Sequence, residues 1–277
     1  ELKIPSKPVV EDTGTIRFGS LFHEVMEKLY ASLQLPNQPA VIQIQDMIAL
    51  KKQVRFVIAQ TLAKNLYHDH DLQWKGEHLI EQEVLQKVIN RVLVVDEKYA
   101  PFILVGLELG KQERLIAYFK LKGGRIIALR GIIDRVDLKE DTIRVIDYKT
   151  GSDEKYVDTI KDLFDRDQSK RKKAIFQILL YVWILKKDFK YAAYKIMPGI
   201  MKTRSIFEPK FDPRVMVKQE TDKEGGYIAD ITDYQDEFEA ELAILLEEIL
   251  DPHTPFIQTN NLLYCTTCPY NRICQRY

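Results

Sequence analysis

Between Ile143 and Met197 the chain reads as an apolar strand, an amphipathic helix and a second apolar strand. That order places the last strand parallel to an earlier one, with the helix packed over the sheet between them. Ile143–Asp147 is the first run. Lys170–Lys187 is the helix, with Ala174, Ile178, Tyr181, Val182 and Leu185 along its apolar side. Tyr191–Met197 is the second strand, rich in aromatics. An α/β fold follows: a central mixed sheet flanked by helices.

The pattern before this unit changes near Phe102. Upstream, apolar residues recur at helical spacing. Arg17–Leu35 is a helix through Phe18, Leu21, Phe22, Val25, Met26 and Leu29, stopped by Pro36 and Asn37. Val41–Leu66 and Gly76–Val95 are two more. The His68-Asp69-His70-Asp71 cluster lies between them and reads as a polar connector, since adjacent loop residues are a poor preset metal geometry. Residues 1–16 lack a period and read as an entry strap. Downstream, Phe102–Leu109, Arg114–Lys122 and Arg125–Asp134 read as strands, with Gly123-Gly124 as a turn. The sheet thus takes four strands from 102–149, mostly joined as hairpins. Residues 152–169 are polar, a loop or short helix over the sheet's end. Residues 204–208 and 214–218 carry possible strands, and Tyr234–Leu250 is an acidic helix. The organisation expected is one domain over 1–277: a mainly helical part at 1–100, a core at 101–200, and a C-terminal helix with a cysteine tail at 201–277.

Chemistry concentrates in GIIDRVDLKEDTIRVIDYKTG, Gly131 to Gly151. Two apolar runs, Ile126–Asp134 and Ile143–Asp147, flank a polar turn at Asp137–Asp141 and form a hairpin. Asp147 and Lys149 share a face of their strand, and Tyr148 points to the opposite layer. Two carboxylates with an ammonium nearby suit a divalent metal and an anionic substrate. By spacing alone, a solvated ion pair on an edge hairpin fits equally well. Glu108, at the end of its strand, lies within reach of Asp134 and Asp147. His23 falls in the buried part of the first helix, where a core histidine is the ordinary occupant. Gln177 and Tyr181 are four apart and share a helix face. Lys170, Arg171, Lys172 and Lys173 open the same helix, where cations oppose its dipole. They are either a phosphate-binding run or a solvated one.

Composition narrows the partners. The 41 Lys and Arg balance 41 Asp and Glu, so any hold on a polyanion comes from local patches. No stretch approaches the roughly 20 apolar residues of a membrane span. No P-loop of the form GxxxxGK[ST] is present, so the chain does not read as a motor. All three cysteines, Cys265, Cys268 and Cys274, sit near the C-terminus. Thiolates so spaced suit zinc or an iron–sulfur cluster, both of which want four ligands. His253 is one candidate fourth ligand for zinc.

Five ordered stretches together resemble the RecB-like branch of the PD-(D/E)XK nucleases, of the AddB-type C-terminal nuclease domain: GSLFHEVME at 19–27, GIIDRVD at 131–137, IDYKTG at 146–151, Gln177 with Tyr181, and CTTCPYNRIC at 265–274. The resemblance implies a restriction-endonuclease-like fold. It implies that Asp134 and Asp147 bind Mg²⁺ or Mn²⁺, with His23, the Tyr148 backbone carbonyl and, as a looser match, Glu108. It implies that Lys149 acts on the attacking water and the developing charge, with Gln177 and Tyr181 beside it. It further implies a DNA exonuclease in recombinational repair or end processing, cytoplasmic, working with a helicase or helicase–nuclease partner subunit and without a membrane. A catalytically silent DNA-binding or scaffold domain is the alternative. In that branch Cys265, Cys268 and Cys274 match three ligands of a [4Fe–4S] cluster. The fourth is expected upstream of this sequence, in a larger protein.

Overall fold

A computed structural model of the chain describes residues 13–34, 39–66, 76–151, 154–166, 171–218, 226–255, 257–266 and 268–276. The first part is helical: α1 (Thr13–Ala31), a short strand β1 (Ala40–Ile42), α2 (Ile44–Leu66) and α3 (Gly76–Tyr99). Then come β2 (Phe102–Leu109), β3 (Leu115–Lys120), β4 (Ile126–Gly131), β5 (Ile133–Lys139) and β6 (Thr142–Lys149). The remainder holds β7 (Tyr156–Val157), α4 (Lys173–Lys187), β8 (Lys195–Lys202), β9 (Met216–Val217), β10 (Gly226–Tyr227) and α5 (Gln235–Leu250).

The central sheet has the order β1-β2-β5-β6-β8. Its first three pairings are antiparallel, and β8 lies parallel to β6 with Asp147 opposite Ile200. The helix between β6 and β8 is α4, so the strand–helix–strand expectation holds and the sheet is mixed. Two apolar clusters cover its faces. On one face Val136, Ile143 and Val145 pack with Ile178 and Val182 of α4 and Phe238 of α5. On the other, Ile146 and Tyr148 pack with Phe22 of α1, Leu50 of α2 and Val92 of α3. This architecture is consistent with a restriction-endonuclease-like fold.

Several boundaries differ from the sequence expectation. The run Arg125–Asp134 is two strands, broken at Ile132. β4 leaves the central sheet and pairs with β3 alone. β5 then continues through Asp137, which lies in the strand, fully buried, and not in a turn. Arg135 and Arg144 neutralise that carboxylate, and without them it could not stay in the core. The turn is Glu140-Asp141, with Glu140 at φ 55°. Val41 opens no helix: Val41 and Ile42 extend to pair with Ile103 and Phe102. α3 runs past Val95 to Tyr99, because Asp96 is drawn inward by the same two arginines, and Pro101 follows its end.

The last sheet strand sits four residues later than expected, with Tyr191–Tyr194 in turns before Lys195. Residues 204–208 are turns, whereas 214–218 does contain β9. α1 ends at Ala31, short of Leu35. α4 is ordered from Lys173, and Lys170 lies outside the described residues, as do 1–12 and the cluster at 68–71. Among the described residues no helix is long and apolar enough to cross a membrane.

Candidate active site

The site lies where β5 begins and β6 ends, since the two strands are antiparallel neighbours. That register brings Asp134 and Asp147 together although 13 positions separate them. Asp134 Oδ2 accepts the backbone N–H of Tyr148 at 2.7 Å. α1 delivers His23 to the same point: its Nε2 is 3.0 Å from the Tyr148 carbonyl and its Nδ1 is 3.5 Å from Asp134 Oδ2. A carbonyl only accepts, so Nε2 carries the proton and the lone pair of a neutral ring faces Asp134. Burial pushes the His23 pKa down, but Asp134, Asp147 and the carbonyl outweigh it, and the net direction is up.

Glu108 joins from the end of β2. One ligand atom each from His23, Glu108 and Asp134 lie within 4.8 Å of one another. Glu108 holds φ at 46°, a left-handed backbone that glutamate rarely adopts and that clusters at functional sites. Burial raises its pKa, and the Asp134 charge adds to the rise.

Asp147 stands on the side toward α4. Burial, then the charge of Asp134, lifts its pKa to about 7. Lys149 Nζ lies 3.1 Å from its Oδ1 and 3.0 Å from its Oδ2, but Oδ2 receives no aligned hydrogen bond and is buried. Lys149 is held in turn by Gln177 Oε1 at 2.8 Å, and Gln177 Nε2 donates to the Tyr181 hydroxyl at 2.8 Å. The ring of Tyr181 passes so close to Gly131 that a Cβ there would sit 2.7 Å from it, which explains a glycine at that strand end.

A divalent cation fits these residues. Burial first, and then the charge of Asp134, raises the pKa values of Glu108 and Asp147, and the buried Asp147 Oδ2 has only the unaligned Lys149 ammonium beside it. Both are what a missing positive charge would relieve. His23, Glu108 and Asp134 would hold it, with Asp147 beside them.

The cysteine tail is not gathered in the same way. Cys265 is buried, Cys268 half-buried and Cys274 exposed. Among the described residues no group of three ligands within 4.8 Å includes these thiols or His253. At the start of α4, Arg171 lies 5.5 Å over the Tyr264 ring, Lys172 pairs with Glu154, and the helix has no side-chain cap.

The sequence reading missed a buried charge network behind the site. Asp96 receives Arg135 through two bonds of 2.8 Å and Arg144 at 2.9 Å. Arg144 also bonds Asp137 at 2.6 Å, and Tyr30 donates to Asp96 at 2.6 Å. The available signal was charge at the inward positions of two otherwise apolar strands.

A family model for the PD-(D/E)XK nuclease superfamily matches residues 1–275. The chain belongs to that superfamily, whose members are generally metal-dependent nucleases and usually use Mg²⁺ or Mn²⁺. No curated protein matches it. A solved structure titled "Crystal structure of SSO0001" is similar at 15% identity over 91% of this chain and 94% of its own, with a TM-score of 0.27, too slight to carry any argument.

Proposed function

We propose that the chain is a divalent-metal-dependent DNA nuclease of the RecB-like branch, AddB-type, acting as an exonuclease in recombinational repair or DNA-end processing. The observation that carries the reading is the convergence of His23, Glu108 and Asp134 beside the buried Asp147.

In this reading the reaction is phosphodiester hydrolysis by in-line attack of water, without a covalent intermediate. A bound Mg²⁺ or Mn²⁺ supplies Lewis acidity and a lowered water pKa. His23, Glu108 and Asp134 would hold it, with Asp147 and the Tyr148 carbonyl beside them as further ligands. Lys149 places a cation where charge develops on the phosphorus oxygens. Its position is set by Asp147 and Gln177, and Tyr181 holds Gln177. Arg171 and Lys173 stand at the start of α4, the helix that carries Gln177, and would be its phosphate contacts.

DNA as the polymer, a helicase or helicase–nuclease partner and a cytoplasmic setting belong to the same reading and rest on the branch resemblance. The cysteine tail is read there as three ligands of a [4Fe–4S] cluster. Iron analysis of protein purified without oxygen tests that part separately.

Cleavage of end-labelled single-stranded DNA with Mn²⁺ tests the nuclease. Wild-type protein cleaves; Asp147→Ala falls by about 10³-fold or more, the scale of lost electrostatic catalysis, with its circular dichroism unchanged. A variant that cut as well as wild type would remove Asp147 from the site. A wild type inert with either metal would favour the silent scaffold.

A further inference from the structure

Tyr148 lies between the two residues of the D-x-K pair and belongs to the opposite face of the sheet. Its ring is buried against Phe22, at 5.4 Å edge-on, and near His23. Three of its polar atoms are occupied. The N–H donates to Asp134 Oδ2 at 2.7 Å. The carbonyl accepts from His23 Nε2 at 3.0 Å. The hydroxyl accepts from Arg135 Nη1 at 2.9 Å. One residue therefore touches two of the three groups that converge at the candidate metal site.

Arg135 is itself held on several sides. The same Nη1 and its neighbour Nη2 both meet Asp96, at 2.8 Å each. Nε is 3.2 Å from Asp137 Oδ1, though not aligned for a hydrogen bond. The guanidinium lies 4.5 Å over the Tyr30 ring. It is completely buried, as is Asp96. A planar, multiply bonded guanidinium in a dry layer is a rigid anchor.

We propose that Arg135 and the Tyr148 hydroxyl are positioning residues for the divalent-metal site: the anchored guanidinium fixes Tyr148, and Tyr148 sets Asp134 and His23 through its own backbone. This rests on the nuclease reading for the identity of the site. The physical reason is the stiffness of the strand. Tyr148 cannot shift without carrying the N–H that orients Asp134 and the carbonyl that fixes the His23 tautomer. Support behind metal ligands is commonly worth 10- to 100-fold in metal affinity.

Tyr30 supplies an internal control. Its hydroxyl also bonds the network, at Asp96 Oδ2 over 2.6 Å, but touches neither Asp134 nor His23. Tyr148→Phe and Tyr30→Phe each remove one oxygen from the same buried layer. Mn²⁺ binding to the full chain by titration calorimetry, well below each variant's Tm, compares them with wild type and Asp134→Ala. Tyr148→Phe is expected to bind Mn²⁺ about tenfold more weakly, and Tyr30→Phe within about twofold of wild type by the same measure. Arg135→Lys, which keeps the charge but not the fork, is expected to match Tyr148→Phe and not wild type. Wild-type affinity in Tyr148→Phe, with affinity lost in Asp134→Ala, would overturn the positioning role and leave the metal site standing. Equal weakening in the two phenylalanine variants would also overturn it, as general loosening of the layer. Undiminished binding by Asp134→Ala would sink the metal site itself.

Discussion

On one face of β5 and β6, Arg135, Asp137 and Arg144 are buried with Asp96, and each carboxylate has a guanidinium against it. On the other face, and at the strand ends, Asp134 and Asp147 crowd together with Glu108 near them, and Lys149 and Lys111 offset only part of their charge. The same two strands supply both sets, through alternate residues. The first set is neutral in sum and closed. The second is an acidic excess: burial and then the Asp134 charge raise the pKa of Asp147 and Glu108, whereas the arginines of the first lower that of Asp96 against its burial. The closed layer specifies how the helices dock on the sheet. The open one leaves a charge deficit for a ligand to complete.

Removing a carboxylate should therefore have opposite consequences on the two faces. Asp96→Ala strands two buried guanidiniums and is expected to cost about 4 kcal/mol. That corresponds to a fall in Tm on the order of 10 °C by calorimetry. The acid response follows from the same residue. Burial works to raise the Asp96 pKa, yet Arg135 and Arg144 hold it below the usual carboxylate value. The unfolded chain thus takes up that proton first as pH drops. The stabilisation is complete above the ordinary value, about pH 4, and is lost as pH falls through the lower folded value. Urea unfolding of Asp96→Asn between about pH 6 and 3 should show a flatter acid limb than wild type. An equally steep limb would mean that Asp96 does not carry it.

Much of this division was open to reading in the sequence, and the rest was hidden for identifiable reasons. The D-x-K spacing and the strand alternation placed Asp147 and Lys149 on one face and Tyr148 on the other. The strand–helix–strand run placed β8 parallel to β6. Asp137 was misread as turn because a lone acid near Lys139 and Glu140 looks solvated. Arg144, seven residues on and across the strand pair, together with Arg135 makes it a core residue. The extra length of α3 has the same origin, since Asp96 has its partners on β5 and β6, about 40 residues away. Long-range ion pairs override local polarity, and a single sequence does not display them. Glu108 was a loose match for a related reason: its approach to Asp134 depends on the pairing of β2 with β5.

Gly131→Ala probes the crowded edge between the small β3–β4 sheet and α4. The added methyl group meets the Tyr181 ring at 2.7 Å. Displacing a packed ring costs about 2 kcal/mol, read as a shift in the urea midpoint. An unchanged midpoint would mean the ring moves freely.

Asp147→Asn tests the open face. Its folded pKa is raised to about 7, first by burial and then by Asp134. An acid raised in this way contributes stability that is present below the ordinary value and is lost as pH rises through about 7. At higher pH the metal-free protein carries a buried charge it would be more stable without. Asparagine should therefore stabilise that protein by about 1 kcal/mol at pH 8, with the gain vanishing near pH 4. A destabilised Asp147→Asn at pH 8 would show that Lys149 already compensates the carboxylate.

The smallest expected effect lies farthest from the acids. Tyr181→Phe removes the hydroxyl that Gln177 Nε2 donates to, and nothing that touches Asp134 or Asp147. One net hydrogen bond is worth about 1 kcal/mol, so stability should change by no more than that. The chain Tyr181–Gln177–Lys149 nevertheless runs to the ammonium proposed to meet the developing charge. With its amide released, Gln177 can rotate and carry Lys149 with it. The cleavage rate at saturating Mn²⁺ should drop severalfold, while the Mn²⁺ concentration for half-maximal rate stays where it is. The reverse split, an unchanged rate with weaker metal dependence, would move Tyr181 from the support of Lys149 to the support of the carboxylates.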